Sequence, residues 1–157
     1  MNAHSVSAPP SGAFEMRLTV LFQHCDPAGI VFFPRWFEML NQVVEIWFAE
    51  GLDCPFRDLV GERGYGVPAI RTEGVYPSPG VLGETLVWRL WIAKLGGSSI
   101  GLRVEAEGED GRLRVGFDHS LVFAAVGPPP KAMRIPDDLR ARMAGFLAPT
   151  PEAEEGA

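Results

Sequence analysis

Apolar residues in this chain recur first at helical spacing and then at every second position. Trp36, Leu40, Val43 and Trp47 form one helical stripe, and Phe37, Val44 and Phe48 widen it, leaving Glu38, Asn41, Gln42 and Glu45 as the polar minority. The pattern predicts a helix over 34–50, with Pro34 in its first turn and Gly51 at the C′ position. A helix this apolar is expected to be wrapped on several sides. Farther along, Leu86, Trp88, Leu90 and Ile92 alternate with Thr85, Val87, Arg89 and Trp91, and Ile100, Leu102 and Val104 alternate with Gly101, Arg103 and Glu105. The segment Glu107-Gly108-Glu109-Asp110-Gly111 reads as a hairpin turn into a strand over 112–125, where Leu113, Val115, Phe117, Leu121 and Phe123 share a face. Residues 14–22 and 67–76 read as further strands and 55–63 as a short helical piece. One long helix followed by strands on short links implies an α+β fold, an antiparallel sheet curled around one long central helix.

Composition bounds this picture without changing it. A chain of 157 residues with 46% apolar and 22% charged residues is the size of one domain with a real core. Residues 1–13 are small and polar and read as a flexible N-terminal segment, 14–127 as the folded domain, and 128–157 as a C-terminal extension whose acidic last part is expected to be disordered. The net charge of -6 argues against a nucleic-acid partner. Neither a bilayer-length apolar run nor an export signal is present, so no membrane partner and a cytoplasmic location are expected. In that compartment Cys25 and Cys54 are expected to be free thiols. His4, His24 and His119 are scattered and no Cys/His set has zinc spacing, so no metal is expected.

The candidate chemistry lies between the first strand and the helix, in Gln23-His24-Cys25-Asp26-Pro27-Ala28-Gly29-Ile30-Val31-Phe32-Phe33-Pro34. A carboxylate at the mouth of a helix sits beside unpaired backbone N–H groups and the positive end of the helix dipole. The same N–H groups can stabilise the oxyanion formed when a thioester carbonyl is attacked, and one such donor is worth about 10²- to 10³-fold in rate. The bland reading of Asp26 is an Asx turn holding the loop. His24, beside it, is a candidate for contacting substrate or relaying a proton, against the alternative of packing on the sheet. Cys25 reads as packing and His119, on an apolar face, takes no role. The four tryptophans, Trp36, Trp47, Trp88 and Trp91, belong first to core or dimer interface, and Trp47 is also a candidate for the substrate wall.

The run Cys25-Asp26-Pro27-Ala28-Gly29-Ile30-Val31-Phe32-Phe33-Pro34 resembles the signature of the 4-hydroxybenzoyl-CoA thioesterase family of hotdog-fold enzymes. The likeness extends more loosely from the first strand to about Ala125, through Glu62-Arg63-Gly64, Val67-Pro68 and Gly97-Ser98-Ser99. It implies a hotdog fold, a homodimer with a continuous sheet that often pairs again as a dimer of dimers, and hydrolysis of an acyl-CoA thioester with no cofactor beyond the CoA of the substrate. By the same resemblance Asp26 is the catalytic carboxylate, either attacking the acyl carbon or activating water, and the Phe33 N–H binds the thioester carbonyl. Ser99 lies at a corner that the family places near the CoA arm.

Two departures from the family pattern concern specificity. Asn41 stands where the 4-hydroxybenzoyl enzyme has an Asp that reads the phenol, so benzoyl, phenylacetyl or medium acyl groups are as compatible as hydroxybenzoyl. Leu95-Gly96-Gly97-Ser98 replaces a basic cluster for the CoA phosphates, leaving Arg71, Lys94, Ser98 and Arg103 as candidates. Rival readings are a short- or medium-chain acyl-CoA thioesterase of the same fold, and a non-catalytic hotdog module that binds acyl-CoA.

Overall fold

Alternation places Leu86, Trp88, Leu90 and Ile92 on one face of a strand, and all four are fully buried in the computed structural model, which describes residues 8–149. That strand is β4 (Thr85–Leu95), following β1 (Phe14–Thr19), β2 (Tyr65–Gly66) and β3 (Ala69–Val75) and preceding β5 (Ser99–Glu107) and β6 (Leu113–Val122). The antiparallel five-stranded sheet has the order β1-β4-β5-β6-β3. Helix α1 (Phe33–Ile46) lays Trp36, Met39, Leu40, Val43 and Val44 against its inner face, and Glu38, Asn41, Gln42 and Glu45 stay exposed. Aromatic pairs tie the two layers: Trp36 meets Trp88 with ring centroids 6.0 Å apart, and Phe37 meets Phe117 at 5.4 Å. The α+β hotdog architecture expected from the sequence is the one observed.

The helix ends differently from the expectation. Gly51 does not take the left-handed conformation of a C′ residue; that falls to Asp53, with φ 48°. The chain widens into a π-helical turn over Trp47–Gly51, closed by the Leu52 N–H bonding the Trp47 carbonyl at 3.0 Å. Glycine is needed at 51 for space, since a Cβ there would stand 2.7 Å from Cδ1 of Trp47. At the other boundary, the first strand stops at Thr19, and Phe22–His24 form a 3₁₀ turn in place of the expected strand end.

The extension expected after 127 is packed onto the fold over its described part. Within it, β8 (Lys131–Ala132) pairs with β7 (Ala124–Ala125), which pairs in turn with β2. Helix α2 (Asp137–Met143) then buries Leu139 and Met143 completely, together with Ile135 ahead of it. Arg142 Nη1 donates to the Leu52 carbonyl at 2.7 Å, Arg140 Nη1 donates to the Gly96 carbonyl at 2.7 Å, and the Ala148 N–H bonds the Ile92 carbonyl at 2.8 Å. Residues 128–148 therefore plug the end of the molecule where α1 finishes and β4 turns into β5. The expected disordered tail, and the start of the flexible N-terminal segment, lie outside the described residues. Among the described residues no helix is long and apolar enough to cross a membrane.

His119 is buried on β6, its Nδ1 2.8 Å from Oγ1 of Thr72 on the adjacent strand. Burial lowers its pKa, because the charged imidazolium loses hydration in the core.

Two outcomes follow. Leu139→Ala removes a wholly buried side chain, so urea unfolding should remain a single transition with a free energy lower by about 2–5 kcal/mol; an early separate transition would make α2 an independent appendage. For His119 the unfolded chain binds the proton more readily than the folded one, so stability is complete above about pH 6.5 and falls as pH drops towards the lowered folded value. Urea titrations at successive pH values should show this slope, and His119→Gln should flatten it.

Candidate active site

Pro27 and Gly29 force the chain after β1 into a tight hairpin, and Asp26 holds it. The Asp26 N–H bonds the Ile30 carbonyl at 3.0 Å, the Gly29 N–H bonds the Asp26 carbonyl at 3.0 Å, and the Ala28 N–H bonds Oδ1 of Asp26 at 2.9 Å. Gly29 takes φ 77°, which glycine alone adopts without strain. The Asx turn anticipated as the bland reading is thus present, and it occupies one carboxylate oxygen; Oδ2 has no hydrogen-bond partner among the described residues. Cys25 bridges Val31, and the Phe32 N–H bonds the His24 carbonyl at 2.9 Å, so the hairpin delivers the chain into α1 at Phe33. Both cysteines, Cys25 half-buried and Cys54 buried, are free thiols.

At this helix start no side chain caps the backbone, and Pro34 brings no donor. The Phe33 N–H has no partner among the described residues. It stands beside a cavity of about 350 Å³ lined by Ile30, Val31, Phe33, Trp36 and the segment Tyr76-Pro77-Ser78-Pro79-Gly80. Asp26 belongs to the same hairpin but does not line the cavity itself. Phe33, which lines the cavity, is 62% exposed, so the mouth is apolar and open there. Burial also raises the pKa of Tyr76, which keeps its phenol protonated at neutral pH.

His24 does not simply pack. Its Nδ1 accepts the Leu21 N–H at 2.9 Å, and burial lowers its pKa against the opposing pull of Glu38. The proton of the neutral ring is then on Nε2, where it can be donated.

Other expected contacts are dispersed. Asn41 lines a second cavity of about 320 Å³ with Val44, Glu45, Phe56, Val67, Ala69, His119 and Leu121. Eight residues along a helix are about 12 Å, so within one protomer this cavity is separate from the one at Phe33. Trp47 is fully buried, edge-on to Phe48 and Phe146 at 5.2 and 5.8 Å, and does not line either cavity. Ser98 and Ser99 sit at the β4–β5 turn, where the Ile135 N–H bonds the Gly97 carbonyl at 2.9 Å. The length of β4 separates that turn from the helix start by about 30 Å within one protomer.

The expected basic candidates also fail to converge. Arg71, Ser120, Gly101 and Lys94 share one row across the sheet, which spreads Arg71 and Lys94 about 14 Å apart. Arg71 is paired with Glu73 at 2.6 Å, and Arg103 is held by Glu105 at 2.9 Å and Asp118 at 3.4 Å. Arg103 is nearly buried, and these carboxylates offset its charge and tie it across the sheet. Residues 76–80 were missed altogether. Their only sequence signal was an aromatic residue inside a Pro/Ser/Gly run.

Among the described residues no group of three or more His, Cys, Asp or Glu side chains converges as a metal site would require. What the helix start can offer is a free backbone donor, a positive dipole end and a carboxylate with one uncommitted oxygen.

No protein-family model matches the chain, and no curated protein matches its sequence. Solved structures do. One is a thioesterase-superfamily protein from Jannaschia sp. CCS1, at 25% identity, covering 91% of this chain and 99% of that one with a TM-score of 0.82. Another is the 4-hydroxybenzoyl CoA thioesterase from Pseudomonas sp. strain CBS-3, at 25% identity, 83% and 98% coverage and a TM-score of 0.76. A gentisyl-coenzyme A thioesterase shares the fold at 22% identity, with 83% and 99% coverage and a TM-score of 0.74. The sheet wrapped on α1 and these likenesses give the chain the hotdog fold of the thioesterases it is similar to, 4-hydroxybenzoyl CoA thioesterase among them.

Proposed function

We propose that the protein hydrolyses acyl-CoA thioesters at the hairpin and helix start, with Asp26 as the reacting carboxylate and the Phe33 N–H as the oxyanion donor. The observation that carries this reading is the unpartnered Phe33 N–H beside an apolar cavity, on the same hairpin as a carboxylate with a free Oδ2. In one route Oδ2 attacks the thioester carbon, the C–S bond breaks, CoA leaves as its thiolate, and water cleaves the resulting anhydride to regenerate Asp26. In the other, Oδ2 takes a proton from water as the water oxygen attacks. Both break the C–S bond and yield the carboxylate of the acid, CoA and a proton, and in both the carbonyl oxygen gains charge against the Phe33 N–H.

The cavity favours an aromatic or otherwise hydrophobic acyl group, because Trp36, Ile30 and Val31 supply apolar walls and no ionised side chain lines it. The 4-hydroxybenzoyl and gentisyl thioesterases of the same fold support an aromatic acid. His24 would donate from Nε2 to substrate. Asn41 would reach the acyl group only where that group is long or where a second protomer supplies the residue. Pairing of protomers along β3, whose outer edge is unpaired and whose Ile70 is 64% exposed, and further pairing as a dimer of dimers, belong to the same proposal. The CoA phosphates would then meet cations such as Lys94 and Arg71 and the Ser98–Ser99 turn across protomers.

The Asx turn favours a second reading, in which Asp26 only shapes the loop and the protein binds acyl-CoA without cleaving it. Asp26→Asn separates the two, because asparagine keeps the turn acceptor and loses the charge. Assayed with a thiol reagent on benzoyl-, hydroxybenzoyl-, phenylacetyl- and aliphatic-CoA esters, the variant should fold normally and lose about 10²- to 10⁴-fold in turnover. Undiminished hydrolysis would remove Asp26 from the chemistry, and wild-type binding without CoA release would favour the binding module. Light scattering should give a dimer or tetramer; a monomer at micromolar concentration would rule out the pairing.

A further inference from the structure

Arg114 on β6 is only 6% exposed, and with Glu105 it is one of the few charged side chains buried in the sheet. Its Nη2 and Nε donate to Oε1 and Oε2 of Glu84 at 2.6 and 3.2 Å, and its Nη1 donates to Oγ of Ser78 at 2.9 Å. Asp110 lies 3.0 Å from Nη2, and the Ser78 hydroxyl donates onward to the Leu113 carbonyl at 2.7 Å. A Cβ at residue 108 would strike both Arg114 and Glu84, so Gly108 leaves room for the pair. Burial alone would raise the Glu84 pKa, but Arg114 and two backbone N–H groups outweigh it, so the carboxylate stays ionised.

This network ends on the proposed catalytic hairpin. Ser78 and Glu84 bracket the β3–β4 loop, and Oε2 of Glu84 accepts the Val81 N–H at 3.1 Å. That loop grips the hairpin through the Val31 N–H to the Gly80 carbonyl at 2.9 Å, the Leu82 N–H to the Gly29 carbonyl at 3.0 Å, and a bridge between Ile30 and Val81. The path from Arg114 to the turn closed by Asp26 is thus one continuous series of hydrogen bonds. The loop it holds is also the far wall of the cavity beside Phe33.

We infer that Arg114, Glu84 and Ser78 are positioning residues for the hydrolytic site, fixing the β3–β4 loop so that the Asp26 hairpin and the cavity wall keep one geometry. The inference rests on the thioesterase reading for its effect on turnover, and on the hydrogen bonds alone for its effect on the hairpin. A buried ion pair adds little net stability over apolar side chains of the same volume, whereas its directional bonds specify one arrangement. Reaction rates are sensitive to that arrangement, since about 1 Å of misplacement can cost about 10²-fold.

The test compares Glu84→Gln and Ser78→Ala with Leu139→Ala, which destabilises the opposite end of the molecule. Glu84→Gln keeps an acceptor for the Val81 N–H but loses the charge that holds Arg114. Ser78→Ala removes one Arg114 acceptor and leaves the ion pair, so it decides the matter even where Glu84→Gln fails to fold. Both loop variants should lower kcat by about 10- to 100-fold with KM changed by less than about threefold. Both should also speed amide hydrogen exchange at Val31 and Leu82, while Leu139→Ala leaves kcat and those two amides as in the wild type. Loss of turnover no greater than in Leu139→Ala, or unchanged exchange at Val31 and Leu82, overturns the inference. A wild-type protein that cleaves no acyl-CoA sinks the thioesterase reading instead, and the exchange measurement still decides whether the network holds the hairpin.

Discussion

The burial of one face of α1 against a curled sheet is the constraint on which everything else in this molecule depends. Trp36, Leu40, Val43 and Val44 meet Trp88, Leu90 and Phe117 in a single apolar layer. Each such side chain contributes roughly 1.5–3 kcal/mol when removed from water, so the axis of the helix is fixed by many cooperating contacts. Once that axis is fixed, so is the position of its first turn. A backbone donor that must stay unpaired to be useful can be kept in place only by structure that does not rely on it.

Around that axis the two ends of the molecule are treated differently. At the end of α1, the π turn and the α2 segment pack closely, and Trp47 lies edge-on to Phe146. At its start the chain leaves an apolar opening, exposed phenylalanines and a donor without a partner. The proposed chemistry and the closed packing thus lie at opposite ends of one helix, with a charged network beside the open end.

How far this was legible in the sequence depends on whether a feature is local. The long helix and β4, β5 and β6 are periodic over ten or so residues, and their buried faces were read correctly from spacing. The wording from Cys25 to Pro34 exposed the hairpin and its carboxylate for the same reason. Short elements such as α2 carry two or three apolar residues, too few to fix a period, so Ile135, Leu139 and Met143 were left in an extension. Arg103 was read as a free cation because its neutralisation by Asp118 depends on the register of β5 with β6, although Glu105 two residues on was already a clue. Arg114 carries no signal in the sequence, and only the fold shows Glu84 and Ser78 closing around it.

Asp26 uses one of its two oxygens to close its own turn. A free carboxylate has interchangeable oxygens and rotates between them; this one has lost that symmetry, because the Ala28 N–H two residues on holds Oδ1 and leaves Oδ2 without a partner among the described residues. A glutamate here would carry the same charge on a longer stem that does not close an Asx turn. The hairpin therefore depends on the length of the acid as well as its charge, and any chemistry proposed for residue 26 is tied to the shape of the loop that presents it.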